Sequence, residues 1–361
     1  MVQDSLSGHL TSPVFPWQSI QWRRLSAQIN DNTLPHAFLF TGEEGVGKEL
    51  FAKSVAAYLF CESSTKDVSS SGFSAENDAN FNHGACGQCK QCKLFEGDTH
   101  PDFKFIEPEE GSSAIKIDQV RQLVDFFSRS SQQGGRKIAL LSPAESLNNN
   151  AANALLKTLE EPSQDSVIIL VSHQSGMLLP TIRSRCQVVD FGLPSFSDSF
   201  AWLSANASEL LSDKNVQEDD VSEILLLANS APLKALNYLE KGALSEYRLM
   251  LEELSSFLKN DTLSSTLAVR WNDDIADLRL SWVMLWLEQI IKLKYGEVLN
   301  GSHSAKKMFL YLAEKATESE LFSLYENCLK QYRLFLGTSN PNKILAFEVI
   351  LHSWLSLMRK N

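Results

Sequence analysis

The stretch HAFLFTGEEGVGKE at residues 36–49 sets the fold class of the amino-terminal half. An apolar, strand-like run is followed by a glycine-rich loop, and a helical pattern begins at the lysine. This order is typical of a phosphate-binding loop, in which backbone N–H groups at a helix N-terminus approach phosphate oxygens and the lysine reaches the β and γ phosphates. The candidate phosphate-binding residues are Gly42, Gly45, Gly47 and Lys48.

The loop is incomplete as a hydrolytic site. The pattern calls for Ser or Thr after the lysine, because the hydroxyl ligates Mg²⁺, and Glu49 stands there instead. The strand-like run RKIALL, which should end in an acidic pair, ends in Ser142 and Pro143. Glu107 and Asp190, at the ends of other strand-like runs, are weaker substitutes. Two interpretations stay open: a vestigial glycine-rich turn, or weak nucleotide binding without turnover.

Further along the chain, strand-like runs alternate with helical patterns as far as about residue 193, which predicts a mainly parallel sheet covered on both faces. Amphipathic helical patterns alone follow. The runs expected to be strands after the first are FKFIE (103–107), RKIALL (136–141), SVIILV (166–171) and QVVDF (187–191). We predict an α/β domain over 1–193, a small helical domain over 194–243 and an all-helical domain over 244–361.

Composition limits the function classes. The 361 residues carry a net charge of -11, which opposes a protein that grips nucleic-acid phosphates over most of its surface. The amino terminus does not resemble a secretory signal, and the most apolar helical stretch, 281–287, is far below the roughly 20 residues that span a bilayer. We therefore expect a soluble cytoplasmic protein.

Cysteine spacing predicts a metal site. Three of the six cysteines lie in CGQCKQC, and a fourth ends the helical pattern after the phosphate loop, which together suit a closed tetrahedral zinc site. The predicted ligands are Cys61, Cys86, Cys89 and Cys92. The alternatives are an iron–sulfur cluster, although the C-x3-C-P continuation is absent, unliganded thiols, or His83 or His100 in place of Cys61. Cys186 and Cys328 are predicted to be packed thiols.

Residues 62–85, between the first and second of these cysteines, are rich in Ser, Asn and Asp and contain few apolar residues. This composition predicts a mobile insertion that lengthens the zinc module of residues 61–92.

A second candidate site follows the fourth strand-like run, where LLPTIRSRC ends in Ser184-Arg185-Cys186. The planar, permanently charged guanidinium of Arg185 can bridge γ-phosphate oxygens and stabilise charge that develops during phosphoryl transfer. The alternative is that Arg185 caps a helix or pairs with a carboxylate. Arg183 is predicted to be an accessory or surface charge.

Five segments together carry a family resemblance. They are GEEGVGKE (42–49), CGQCKQC (86–92), GDTHPDF (97–103), NALLKTLEEP (153–162) and RSRC (183–186). Over Pro16 to Pro194 the chain resembles the delta-prime family of clamp-loader subunits of bacterial DNA polymerase III, which are AAA+ proteins. Over the remainder it resembles them only in helical pattern and length.

The resemblance implies a five-subunit assembly with gamma/tau motor subunits and a delta subunit, which opens the sliding clamp and loads it on primed DNA. It implies a non-hydrolysing stator with a structural zinc, a helical lid and a helical collar, within a DNA-directed DNA polymerase holoenzyme. Arg185, beside Ser184, would act in trans on ATP bound by a neighbour. The alternatives are an active ATPase motor subunit and a zinc-bearing nucleic-acid-binding protein.

Two positions bear on how closely the chain follows this family. Lys48 is retained, although the best-known relatives have lost the loop lysine. Leu233 stands where motor subunits carry a second sensing arginine, which agrees with a site that cannot respond to ATP.

Overall fold

The computed structural model describes residues 14–63, 84–133, 135–207, 216–259, 262–297, 305–336 and 341–358. Most of the predicted insertion, 64–83, lies outside the described residues, as does His83. The chain divides into two compact units, Met1–Asp198 and Ser199–Asn361. The predicted separation of a small helical domain from a larger one near residue 243 stays a prediction.

The first unit is built on a sheet of five parallel strands in the order β2-β3-β4-β1-β5. The strands are β1 (Ala37–Gly42), β2 (Phe103–Ile106), β3 (Lys137–Leu141), β4 (Ser166–Ser172) and β5 (Gln187–Phe191). The three central strands are buried along almost their whole length, as continuous apolar runs predict for a sheet covered on both faces. All five predicted strands are present.

Helices follow the strands in alternation, with a single 3-10 turn at Pro16–Gln18 before them. They are α1 (Ser19–Asn30), α2 (Lys48–Phe60), α3 (Lys90–Glu96), α4 (Ile117–Ser128), α5 (Asn149–Glu160) and α6 (Pro180–Arg183). The Asn148 side chain accepts the Ala151 N–H and so caps α5. The end of α5 at Glu160 agrees with the stop that Pro162 imposes.

The pleat of β1 sends alternate side chains into two separate cores. Ala37 and Leu39 join the aliphatic core formed with α4 and α5. Phe38 and Phe40 point to the opposite face, where Phe51 of α2 packs edge-on against Phe40. Helices therefore cover both faces of the sheet. The predicted fold class, an α/β domain with a parallel sheet followed by a helical region, is confirmed.

Beyond β5, the described residues form helices. They are α7 (Phe196–Asn206), α8 (Glu218–Leu227), α9 (Pro232–Lys241), α10 (Ala243–Leu258), α11 (Ser264–Trp271), α12 (Ala276–Lys294), α13 (Lys306–Lys315), α14 (Glu318–Leu336) and α15 (Lys343–Met358). Four tryptophans, each no more than 1% exposed, fill the core of the second unit. Within the described part of the chain, no helix is both long and apolar enough to cross a membrane.

Candidate functional site

The candidate phosphate-binding loop connects β1 to α2 and leaves no room for side chains at two of its glycines. Gly47, the N-cap of α2, has φ +87, and a Cβ added there would lie 2.6 Å from Cε2 of Phe15. Gly42 has φ +138, and a Cβ added there would lie 2.3 Å from the carbonyl oxygen of Phe191 on β5. Both positions combine a left-handed backbone with a close approach that only glycine allows.

Lys48 is turned into the loop itself. Its side chain is buried, with 2% of the residue exposed, and Nζ donates to the carbonyl oxygens of Gly42 and Glu43, both at 2.7 Å. Burial lowers the pKa of Lys48 to about 8, although the nearby carboxylate of Glu145 acts to raise it. The nitrogen predicted to reach a nucleotide's phosphates thus bonds to the loop's own backbone.

Residues at the start of the described chain lie against the same loop. Trp17 Nε1 and Gln18 Nε2 both donate to the carbonyl oxygen of Val46, at 3.0 and 2.8 Å. The ring of Phe15 stacks on that of Trp17, with centroids 4.9 Å apart. Two side-chain donors from one short segment therefore tie that segment to the loop, across a separation of 28 and 29 residues in sequence.

Glu49, the residue in the place of the Mg²⁺-binding hydroxyl, has a local role in α2. Its carboxylate lies in the first helical turn and pairs with Lys53 Nζ at 2.9 Å. A negative charge near a helix N-terminus and an i, i+4 ion pair with the acid first each stabilise a helix by a few tenths of a kcal/mol. Glu49, which replaces the hydroxyl that a Mg²⁺ site would need, therefore stabilises helix α2.

Sequence reasoning missed Glu145, the acidic group that the fold brings to the carboxyl ends of β3 and β4. Its Oε1 accepts the N–H groups of His173 and Gln174, at 2.9 and 3.2 Å. Glu145 Oε2 and His173 Nδ1 are buried and lack a hydrogen-bond partner among the described residues. Burial, together with the charge of Lys48, lowers the pKa of His173. The sequence signal that could have identified Glu145 is its place as the first acidic residue after β3, two positions after Pro143.

The two carboxylates considered from sequence lie elsewhere. Asp190, on β5, accepts a hydrogen bond from Thr41 Oγ1 at 3.0 Å. Glu107 is exposed just after β2, and its carbonyl oxygen accepts from Gln119 Nε2 at 2.8 Å. Within the described chain, the hydrogen bonds from Lys48 Nζ go to backbone oxygens and to neither carboxylate.

The four predicted cysteine ligands converge. The sulfur atoms of Cys61, Cys86, Cys89 and Cys92 all lie within 4.8 Å of one another. Tetrahedral coordination with metal–sulfur bonds near 2.3 Å requires sulfur separations of about 3.8 Å, and the Sγ atoms of Cys86 and Cys92 are 3.9 Å apart. Backbone N–H groups of Cys86 and Cys89 donate to sulfur atoms of the cluster at 3.2 and 3.3 Å, as suits thiolates. The cluster can therefore hold a metal ion.

His100 lies beside the cluster, but other partners occupy both of its ring nitrogens. Nδ1 accepts the Asp102 N–H at 3.2 Å, which leaves Nε2 to donate to Gln91 Oε1 at 3.1 Å. The ring also stacks on Phe60, with centroids 3.8 Å apart. Cys61, rather than His100, completes the set of four candidate ligands.

Asp102 connects the segment GDTHPDF to the loop before β3. Its carboxylate accepts from Ser131 Oγ and from the N–H groups of Gln132 and Gln133, all at 2.9 Å. Burial acts to raise the pKa of Asp102, but these three hydrogen bonds outweigh it and lower the pKa. The segment thus ties the region of the cysteine cluster to the sheet.

Arg185 follows α6 at the surface of the first unit, with 34% of its side chain exposed. Nη2 pairs with Glu160 Oε1 at 2.5 Å, and Nη1 donates to Thr181 O at 2.9 Å and to Ser184 Oγ at 3.4 Å. In this structure Arg185 therefore pairs with a carboxylate, as the alternative interpretation of the sequence predicted. Arg183, at the end of α6, is exposed.

The phosphate loop and Arg185 lie at opposite ends of the parallel strands. In the register of β1 with β5, Phe38 is level with Gln187, and Gly42 is level with Phe191. Arg185 precedes the amino end of β5, whereas the loop follows Gly42 at the carboxyl end of β1. Four strand residues at roughly 3.3 Å each put about 13 Å between these ends, before the residues beyond each strand are included.

The fold and the loop between β1 and α2 define an α/β protein of the P-loop class with a four-cysteine cluster. The family described as DNA polymerase III, delta subunit, matches residues 17–194, and its C-terminal counterpart matches residues 241–356. The DNA polymerase III subunit delta-prime of Pseudomonas aeruginosa is 36% identical over 95% of this chain and 98% of its own length. That of Escherichia coli is 27% identical over 93% of this chain and 94% of its own.

The chain belongs to the DNA polymerase III delta-prime family. Among solved structures, it is similar to a gamma subunit-related protein of Thermotoga maritima, with 17% identity, coverage of 93% of this chain and 94% of that one, and a TM-score of 0.37. The RuvB branch migration motor of the same organism gives 14% identity, coverage of 87% and 86%, and a TM-score of 0.39.

Proposed function

We propose that this chain is a non-hydrolysing stator of a clamp loader, which supplies Arg185 in trans to ATP bound by a neighbouring subunit. The observation that carries the proposal is the position of Arg185 at the amino ends of the strands, whereas the chain's own phosphate loop lies at their carboxyl ends. An arginine in this place cannot serve its own loop without refolding. It is partly exposed, and a guanidinium at a surface can meet the phosphates of an adjacent subunit.

The state of the chain's own phosphate loop supports the same proposal. Lys48 bonds to Gly42 O and Glu43 O, and Trp17 and Gln18 bond to Val46 O. Turnover would require Lys48 to leave two short hydrogen bonds and a metal to bind without the missing hydroxyl. We propose that this site does not hydrolyse ATP.

The partners follow from the family and are part of the proposal. They are gamma/tau motor subunits and a delta subunit in the assembly, and the sliding clamp and primed DNA that the assembly handles. The helical region would contribute the lid and the collar, and the assembly would work in the cytoplasm during DNA replication. The expected gain from Arg185 is roughly 10³- to 10⁵-fold in hydrolysis at the neighbouring site.

We also propose that the metal held by Cys61, Cys86, Cys89 and Cys92 is zinc. A four-thiolate set with near-tetrahedral sulfur spacing suits zinc, which would cross-link the end of α2 to the start of α3. With four protein ligands the site has no open position for a substrate, so its role would be structural.

Reconstitution of the assembly with motor subunits, delta subunit, clamp and primed DNA tests the arginine. We expect Arg185→Ala to assemble and to lower DNA-stimulated ATP hydrolysis and clamp loading. Arg185→Lys should restore little, because an ammonium lacks the planar fork that bridges two oxygens. Arg121→Ala, which removes another exposed arginine paired with a carboxylate, is the matched control and should match wild type.

Three outcomes would contradict the proposal. If Arg185→Ala assembles and loads clamps as well as wild type, Arg185 does not act on a neighbour's nucleotide. If the purified chain shows Mg²⁺-dependent ATP turnover that Lys48→Ala abolishes, the chain is a motor rather than a stator. Tight DNA binding by the isolated chain, with a steep salt dependence, would instead indicate a nucleic-acid-binding protein.

A further inference from the structure

The carboxylate that holds Arg185 comes from Glu160, the last residue of α5. Glu160 is exposed, and half of its side chain, 49%, is open to solvent. Two residues in the aliphatic core fix the place of its backbone: Leu155 is fully buried and Leu159 is 2% exposed. His36 Nε2 also lies 3.0 Å from the Leu159 carbonyl oxygen, which anchors the end of the helix to the residue that precedes β1.

The arginine's own backbone is fixed in the same way. Ile182 of α6 is fully buried in the same core as Leu155. Two neighbouring elements of one rigid core thus present an acid and a base at the amino ends of the strands. Because both backbones are anchored, the ion pair restricts mainly the side-chain rotamers of Arg185 and Glu160.

The contacts leave part of the guanidinium available. An arginine has five N–H donors in a planar fork. Among the described residues, Nη1 contacts Thr181 O and Ser184 Oγ, and Nη2 contacts Glu160 Oε1, while Nε and one Nη2 hydrogen carry no hydrogen bond. The fork is therefore held on one side by its own chain and has donors left for oxygens of another molecule.

We propose that Glu160 is a positioning residue for Arg185. Its carboxylate holds the guanidinium in the rotamer in which the arginine meets the neighbouring subunit's phosphates. This inference rests on the proposed function, because it requires Arg185 to act in trans. Without Glu160, the flexible side chain would lose its preferred direction, and ordering it at each encounter would cost conformational entropy.

The pair is exposed, so the expected effect is small. Exposed ion pairs contribute about 0.2 to 1 kcal/mol, which corresponds to up to about fivefold in rate. We expect Glu160→Gln in the reconstituted assembly to lower the kcat of DNA-stimulated ATP hydrolysis about two- to fivefold. The KM for ATP should stay unchanged, because Glu160 does not contact the nucleotide. The difference from wild type should shrink as salt screens the pair.

Glu161 supplies the matched control. It is the next residue, it is also exposed, and no ion pair or side-chain hydrogen bond of Glu161 occurs within the described chain. Glu161→Gln removes the same charge from the same turn and should leave kcat at the wild-type value. A second test places Glu160→Gln in the Arg185→Ala background, where it should have no further effect.

Each result decides the matter. If Arg185→Ala lowers hydrolysis but Glu160→Gln equals wild type, the positioning role is wrong and the proposed function stands. If Glu160→Gln is faster than wild type, the carboxylate competes with the phosphates, and the positioning role is again wrong. An equal loss with and without Arg185 would show that Glu160 acts through folding or assembly. If Arg185→Ala itself changes nothing, the proposed function fails first.

Discussion

Replacing Lys48 with methionine tests what the lysine does in the phosphate loop. Lys48 is 2% exposed, and its Nζ lies 2.7 Å from two backbone oxygens. Burial lowers its pKa from 10.5 to about 8 in the folded protein. Methionine has nearly the same length and cannot titrate, so the difference between the two proteins isolates the proton on this nitrogen.

The sign of the pH dependence of the free energy of unfolding follows from whether the folded or the unfolded chain holds the Lys48 proton. Between pH 8 and 10.5 the unfolded chain keeps the Lys48 proton and the folded chain loses it, so the free energy of unfolding rises with pH across this window. A shift of about 2.5 pH units at 1.36 kcal/mol per unit gives about 3.4 kcal/mol. Below pH 8 both states are protonated, and the contribution no longer changes with pH.

Urea unfolding of the full chain at pH 7, 8, 9 and 10, followed by far-UV circular dichroism and tryptophan fluorescence, measures this difference. Trp22 packs edge-on against Phe51 of α2, so part of the fluorescence signal comes from the unit that holds the loop, and the buried tryptophans of the second unit supply the rest. Wild type should gain about 2.5 kcal/mol over Lys48→Met as the pH rises from 7 to 10, the range that these measurements cover. A constant difference, or one that falls with rising pH, would refute the buried, loop-bound state of Lys48.

Three further outcomes follow from the site. Gly47→Ala should destabilise the chain by at least about 1 to 2 kcal/mol, since φ is +87 and the new Cβ would meet an aromatic ring at 2.6 Å; Gly176→Ala, with open space around it, is the control in thermal unfolding. Cys89→Ser should lower the zinc content of the purified protein, measured by plasma mass spectrometry, whereas Cys186→Ser should not; equal zinc in both would contradict the cluster as the metal site. Asp102→Asn should lower the free energy of unfolding by about 1 to 3 kcal/mol at neutral pH. Because the folded-state pKa of Asp102 is lowered, this advantage of wild type should shrink as pH falls through that pKa, and an advantage that grows in acid would contradict the assignment.

Sequence predicted the features whose signal is local. The apolar runs gave all five strands, because a buried parallel strand requires a continuous apolar stretch. The phosphate loop was visible because its glycines lie within six residues of one another. The cysteine cluster was visible because three of its ligands repeat every third residue and the fourth ends a helix.

Contacts between distant residues were not visible in the sequence. Glu145 and His173 are 28 residues apart and meet only because β3 and β4 are neighbours in the sheet. Trp17 and Val46 are 29 residues apart, and nothing in the local pattern pairs an indole with that carbonyl oxygen. The partner of Arg185 was foreseen only as some carboxylate, since the packing of α5 beside α6 selects Glu160.

In the proposed function, this chain contributes Arg185 to hydrolysis of a neighbour's ATP and does not hydrolyse ATP itself. The most direct measurement is single-turnover hydrolysis by the reconstituted, clamp-bound assembly on primed DNA, with the ATP hydrolysed counted per assembly. Wild type and Arg185→Ala should bind the same amount of ATP, and the variant should lose the rapid hydrolysis of one site. Lys48→Met should leave the count unchanged. Full rapid hydrolysis in Arg185→Ala, or one site lost in Lys48→Met, would contradict the claim.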